Sequence, residues 1–86
     1  MSHFVFWAPE ADERFQSFLR NDDADGRVVR AVLEIDFWLA RGPIDFGESR
    51  YDTVRVGFVP PIAVLFDVLT DPPTAIVLDI WRIDGT

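Results

Sequence analysis

The chain has 86 residues, 49% of them hydrophobic, with eight Phe and three Trp, enough apolar side chain for a core, so composition excludes intrinsic disorder. This length is expected to form one domain over residues 1–86. Fifteen acidic residues against eight basic ones give a net charge of −7, and all eight cations are Arg, a balance that opposes phosphate backbones unless cations gather in a local patch. The absence of cysteine excludes a disulfide framework, a thiolate zinc site and a thiol nucleophile. No apolar run approaches the roughly 18 residues that cross a bilayer, and the N-terminus lacks the pattern of a signal peptide, so a cytoplasmic protein without membrane contact is expected.

In chain order, His3 to Trp7 is an aromatic and β-branched run that predicts a first strand. Ala8-Pro9 then opens a helix, with Glu10, Asp12 and Glu13 where its dipole favours negative charge. Its stripe Ala8, Ala11, Phe15, Phe18 and Leu19 runs to about Arg20, before the polar stretch 21–26. From Arg27 to Ala40, Val28, Ala31, Val32, Ile35, Trp38 and Leu39 trace a second helical face, widened by Val29, Leu33 and Phe37. Gly42-Pro43 reads as its stop, with glycine as a left-handed cap. Residues 44–53 show no period. Val54 to Val59, Ile62 to Leu69 and Thr74 to Ile83 are β-branched runs separated by proline turns. The predicted class is α+β: two helices packed on an antiparallel sheet in the order β-α-α-β-β-β.

Pairing Val59 with Ile62 and Leu69 with Thr74 across the turns sorts the strand residues into two faces. One, with Val54, Val56, Phe58, Ala63, Leu65, Ile76, Leu78 and Ile80, is almost wholly aliphatic and is the expected core. The other carries Arg55, Gly57, Val59, Ile62, Val64, Phe66, Val77, Asp79 and Trp81. Two helices cover only one side of a sheet, so this second apolar face implies a partner. Arg55, Val64, Phe66, Val77, Asp79 and Trp81 are the expected partner-binding residues, with Arg55 paired to Asp79, since a carboxylate in an apolar strand needs a counter-charge.

Catalytic signatures are sparse. The glycines are isolated, no zinc pattern or phosphate loop occurs, and His3 stands without a nucleophile nearby, so neither metal nor cofactor is expected. Asp22, Asp23 and Asp25 suit turn chemistry rather than a calcium site. Arg50, Arg55 and Arg82 form the one candidate catalytic set: converging at one end of the sheet, they would stabilise a phosphoryl transition state without metal.

Trp7-Ala8-Pro9-Glu10-Ala11 after the first strand, Ala31 to Pro43, Gly47-Glu48-Ser49-Arg50, Val54-Arg55-Val56, Val64-Leu65-Phe66 and Trp81-Arg82 occur in an order that resembles the RelE/ParE superfamily of toxin-antitoxin toxins. The resemblance implies an antitoxin segment wrapped on the domain, and either messenger RNA cleavage on the ribosome or gyrase inhibition. Arg55 and Arg82 match two family arginines, whereas a third position falls near Ala63 and the catalytic lysines and C-terminal tyrosine have no counterpart. The expectation is therefore a toxin-fold protein acting by protein binding, with a cognate antitoxin or its own copy as partner. A metal-independent endoribonuclease and a non-toxic dimerisation domain are the alternatives.

Overall fold

The computed structural model describes residues 2–23 and 25–83. Strand β1 (Phe4–Trp7) leads into helix α1 (Pro9–Asp22), followed by α2 (Arg27–Arg41), a single turn α3 (Pro43–Phe46), and strands β2 (Glu48–Tyr51), β3 (Val54–Val59), β4 (Ile62–Thr70) and β5 (Pro73–Arg82). The strands form one sheet in the order β1-β5-β4-β3-β2. Every neighbouring pair is antiparallel except β1 and β5, which run parallel. The predicted α+β class and element order hold, with α3 and β2 added inside the stretch that shows no period.

Local chemistry explains the helix limits. Pro9 occupies the first turn of α1, with Glu10 and Asp12 beside it and Arg20 in the last turn, each sign placed where the helix dipole favours it. The aspartates of the connecting loop cap α2. The Asp23 carboxylate accepts the Val28 and Val29 N–H groups at 2.7 and 3.2 Å, and Asp25 accepts that of Arg27 at 3.2 Å, so donors otherwise orphaned at a helix start are satisfied. The left-handed glycine sits here, at Gly26 with φ 74°, whereas Gly42 is extended at φ −168° and ends α2 by donating its N–H to the Trp38 carbonyl. The side chain of Asp22 lies outside the described residues.

The core lies between the helices and one face of the sheet. Val28, Ala31, Val32, Ile35 and Leu39 of α2 and Ala11 of α1 cluster with Ile62, Val64, Phe66, Val68, Ala75, Val77 and Ile80, and Val5, Trp7, Phe15 and Phe46 pack around them. Trp7 donates its indole N–H to Asp36 at 3.0 Å and meets the Phe15 ring at 5.7 Å, which ties β1 to both helices. The His3 backbone N–H adds a bond to the Ala40 carbonyl at 2.7 Å.

Candidate partner-binding face

The strand registers decide which side chains share a face. Val59 pairs with Ile62 and Leu69 with Thr74, as the proline turns predict. Between Leu65 and Phe66 the β4–β5 register shifts, so that Leu65 opposes Asp79, Phe66 opposes Val77, and Leu78 is the extra residue, a bulge that turns the following side chains over. Ile80 therefore joins Val64 on the helix side, while Trp81 opposes Ala63 on the other.

The two faces are thus the reverse of the expected assignment up to the bulge, while beyond it Ile80 lies in the core and Asp79 and Trp81 on the other face, as expected. Val64, Phe66 and Val77, expected to bind a partner, are fully buried in the core. Gly57 and Gly47 show why. A Cβ on Gly57 would collide with the Phe46 ring, and one on Gly47 with Phe66, so both glycines make room for Phe46 to stack on Phe66 at 5.9 Å. Close approach of a ring to backbone requires glycine, and that marks the Gly57 side of β3 as the covered side.

The open face comprises Glu48 and Tyr51 of β2, Val54, Val56 and Phe58 of β3, Ala63, Leu65, Asp67 and Leu69 of β4, Thr74, Ile76, Asp79 and Trp81 of β5, and Phe4 and Phe6, which pair with Thr74 and Ile76. Val54, Val56 and Ala63 are buried, whereas Phe4 is 61% exposed, Phe6 58%, Phe58 47% and Leu69 40%. The three phenylalanines alone present about 330 Å² of aromatic surface, taking a ring as roughly 200 Å². Phe4 and Phe6 lie on the β1 side of the face and Phe58 on β3, and the aliphatic residues between them join the rings into one apolar surface. Phe4, Phe6 and Phe58 were missed in the sequence as partner residues, although the alternation of Phe4 and Phe6 with Val5 and Trp7 carries the signal of a strand apolar on both sides.

The arginines do not converge. Arg55 lies on the helix side, where its guanidinium donates to the Gly47 carbonyl at 2.7 Å and the Ile44 carbonyl at 3.1 Å. It closes the end of α3. Arg82 opposes Ile62 on the same side, two strands and four residues away from Arg55, a separation of about 16 Å at ordinary strand spacings. Arg50 is exposed on the edge strand β2, and Ala63, where a further cation would fall, is buried in the middle of the sheet. Asp79 does not pair with Arg55. Its carboxylate meets Arg14 of α1 at 3.3 Å, both side chains about half exposed. Among the described residues no group of three or more His, Asp or Glu is arranged to hold a metal, and no helix is long and apolar enough to cross a membrane.

This arrangement, two helices on one side of a five-stranded sheet whose other side is apolar, is the frame the sequence motifs suggest. No family model and no curated protein matches the chain. Among solved structures, a chain of the toxin-antitoxin complex RelBE2 from Mycobacterium tuberculosis superposes with a TM-score of 0.78 at 16% identity, covering 95% of this chain and 99% of that one. The chain has a RelE/ParE-like fold. At this identity the likeness is one of fold.

Proposed function

We propose that this protein is a binding module of the RelE/ParE-like fold that holds an antitoxin-type partner protein on the open face of its sheet. The observation that carries this reading is the exposure of Phe4, Phe6, Phe58 and Leu69 at the margins of a face whose middle is aliphatic and that none of the chain's helices covers. Water-facing area of that kind is held by interfaces rather than by isolated monomers. Arg55, expected both for binding and for catalysis, acts instead as a cap on α3, and Asp79 and Trp81 remain with the partner-binding set at the edge of the face. Binding is favoured over RNA cleavage because the Arg55 guanidinium is already committed to the Gly47 and Ile44 carbonyls at the end of α3.

The test is co-expression with the product of the adjacent open reading frame. A stable complex is expected that survives Arg50→Ala with Arg82→Ala and is lost in Phe6→Ser with Phe58→Ser. RNA cleavage by the purified chain that disappears in the arginine variant would overturn this reading in favour of a metal-independent ribonuclease.

A further inference from the structure

The charges on this fold are polarised, and their arrangement specifies the occupant of the open face. Arg14 and Arg20 lie on α1, and Arg27, Arg30 and Arg41 on α2. Arg27 and Arg30 line a cleft of about 330 Å³ between α2 and the β3–β4 turn. Arg55 and Arg82 project to the helix side of the sheet by register. Six of the eight cations therefore stand away from the open face; Arg14 reaches its edge at Asp79, and Arg50 lies on the edge strand β2.

The charged positions that the registers assign to the open face are Glu48, opposite Val56, with Asp67 and Asp79. Asp79 is already engaged by Arg14. Asp67 sits at the end of the sheet where the β2–β3 turn, with Asp52, and the β4–β5 turn, with Asp71, also lie. This end is acidic. The opposite end presents Phe58 and Trp81 beside Ala63.

We infer that the open face takes a basic, amphipathic segment of a different protein, its apolar side chains on Phe6, Phe58 and Ile76 and its Lys or Arg residues at the acidic end formed by Asp52, Asp67 and Asp71. The inference rests on the proposed function and adds the chemistry of the partner. A second copy of the chain would bring a face of the same charge sign against it, and a nucleic acid would bring phosphates, so both are disfavoured by like-charge repulsion. Electrostatic complementarity sets specificity and orientation, while the exposed aromatic and aliphatic side chains supply the area.

Two synthetic peptides of equal length and apolar content test this, one with alternating Leu and Lys and one with Glu in place of every Lys. Binding to the full chain is read by fluorescence anisotropy at low and high salt. The Lys peptide should bind about tenfold more tightly than the Glu peptide at low salt, the sum of three exposed charge pairs of modest worth. The preference should shrink at high salt. It should be lost in Asp52→Asn, Asp67→Asn, Asp71→Asn together, and kept in Glu10→Gln, Glu13→Gln, Glu34→Gln, which removes as much charge from the helix side. Asparagine suits Asp52, whose φ is 48°, and it keeps an acceptor for the Thr53 hydroxyl that Asp67 binds, so the variant should fold.

Equal binding of both peptides, abolished by Phe6→Ser with Phe58→Ser, would overturn the basic partner while leaving the docking face intact. Loss of the preference in the helix-side variant would overturn it in favour of net charge alone. Binding of neither peptide, or binding indifferent to Phe58, would overturn both the inference and the docking face. Concentration-dependent self-association that Phe58→Ser abolishes would replace the basic partner with a second copy.

Discussion

Gly57→Ala reads most directly which face of the sheet lies under the helices. A Cβ at this position would stand 2.6 Å from Phe46 Cζ and 2.9 Å from Cδ2, well inside contact distance. Phe46 can yield only by leaving Phe66, on which it stacks. Overpacking of this kind costs about 1–3 kcal/mol, and losing the ring pair adds up to about 1.5 kcal/mol. Against this, alanine removes the chain-entropy disadvantage of glycine in a strand, about 0.5–1 kcal/mol. The net expectation is a loss of about 2 kcal/mol, and for a domain of this size each kcal/mol lowers Tm by roughly 4–8 °C. Urea and thermal unfolding followed by tryptophan fluorescence measure it in two backgrounds. In Phe46→Ala the obstacle is absent, so the same substitution should be neutral or slightly stabilising, giving a coupling energy of at least about 1 kcal/mol. An equal loss in both backgrounds would refute the placement of Gly57 under α3, and with it the assignment of Phe58 to the open side.

Further expectations concern single interactions. Arg55→Ala should destabilise the fold by about 1–2 kcal/mol, because the carbonyls of Gly47 and Ile44 lose a charged donor; an unchanged urea midpoint would remove its capping role. Asp23→Ala should cost about 1 kcal/mol as the α2 cap is lost, with faster amide exchange at Val28 and Val29. Trp7→Phe should cost about 1 kcal/mol through the indole bond to Asp36, and the loss should be absent when Asp36 is already alanine. Arg14→Ala should change stability by less than about 1 kcal/mol, since its pair with Asp79 is half exposed, and raised salt should erase the difference.

The sequence carried the element order because its strongest signals are periodic: α2 has an apolar stripe over four turns, and the strands β3 to β5 are β-branched and bounded by prolines. It did not reveal β2, since Glu48, Ser49, Arg50 and Tyr51 are all exposed at an edge and present no alternation to read. Nor does α3, one turn long, fill a helical period. The choice of core face failed for a physical reason. Both faces of the sheet are apolar, so hydrophobicity alone could not rank them. The deciding residue was Gly57, whose missing side chain admits Phe46, and glycine on a strand face looks like weakness until the ring that uses the space is known. The bulge at Leu78 was equally hidden: proline turns fix the register at the ends of β4 and β5 but say nothing of an extra residue between them. Its effect on Asp79 and Trp81 is to return them to the open side.

The arginine set shows the limit of motif matching without geometry. Arg55 and Arg82 were expected to act together, yet Arg55 is held on the Gly47 and Ile44 carbonyls at the end of α3. What the open face offers is exposed apolar area with an excess of carboxylates, on which the proposed docking rests.

Because the chain has no cysteine, a single introduced thiol reports the environment of one site. Maleimide labelling of Phe58→Cys, on the open face, and Leu33→Cys, 64% exposed on α2 in the native chain, is compared with and without the proposed partner, the product of the adjacent open reading frame. Docking on the sheet predicts that both thiols react freely in the isolated chain, and that only the thiol at position 58 is protected in the complex. Protection at position 33 with continued reaction at position 58 would contradict it.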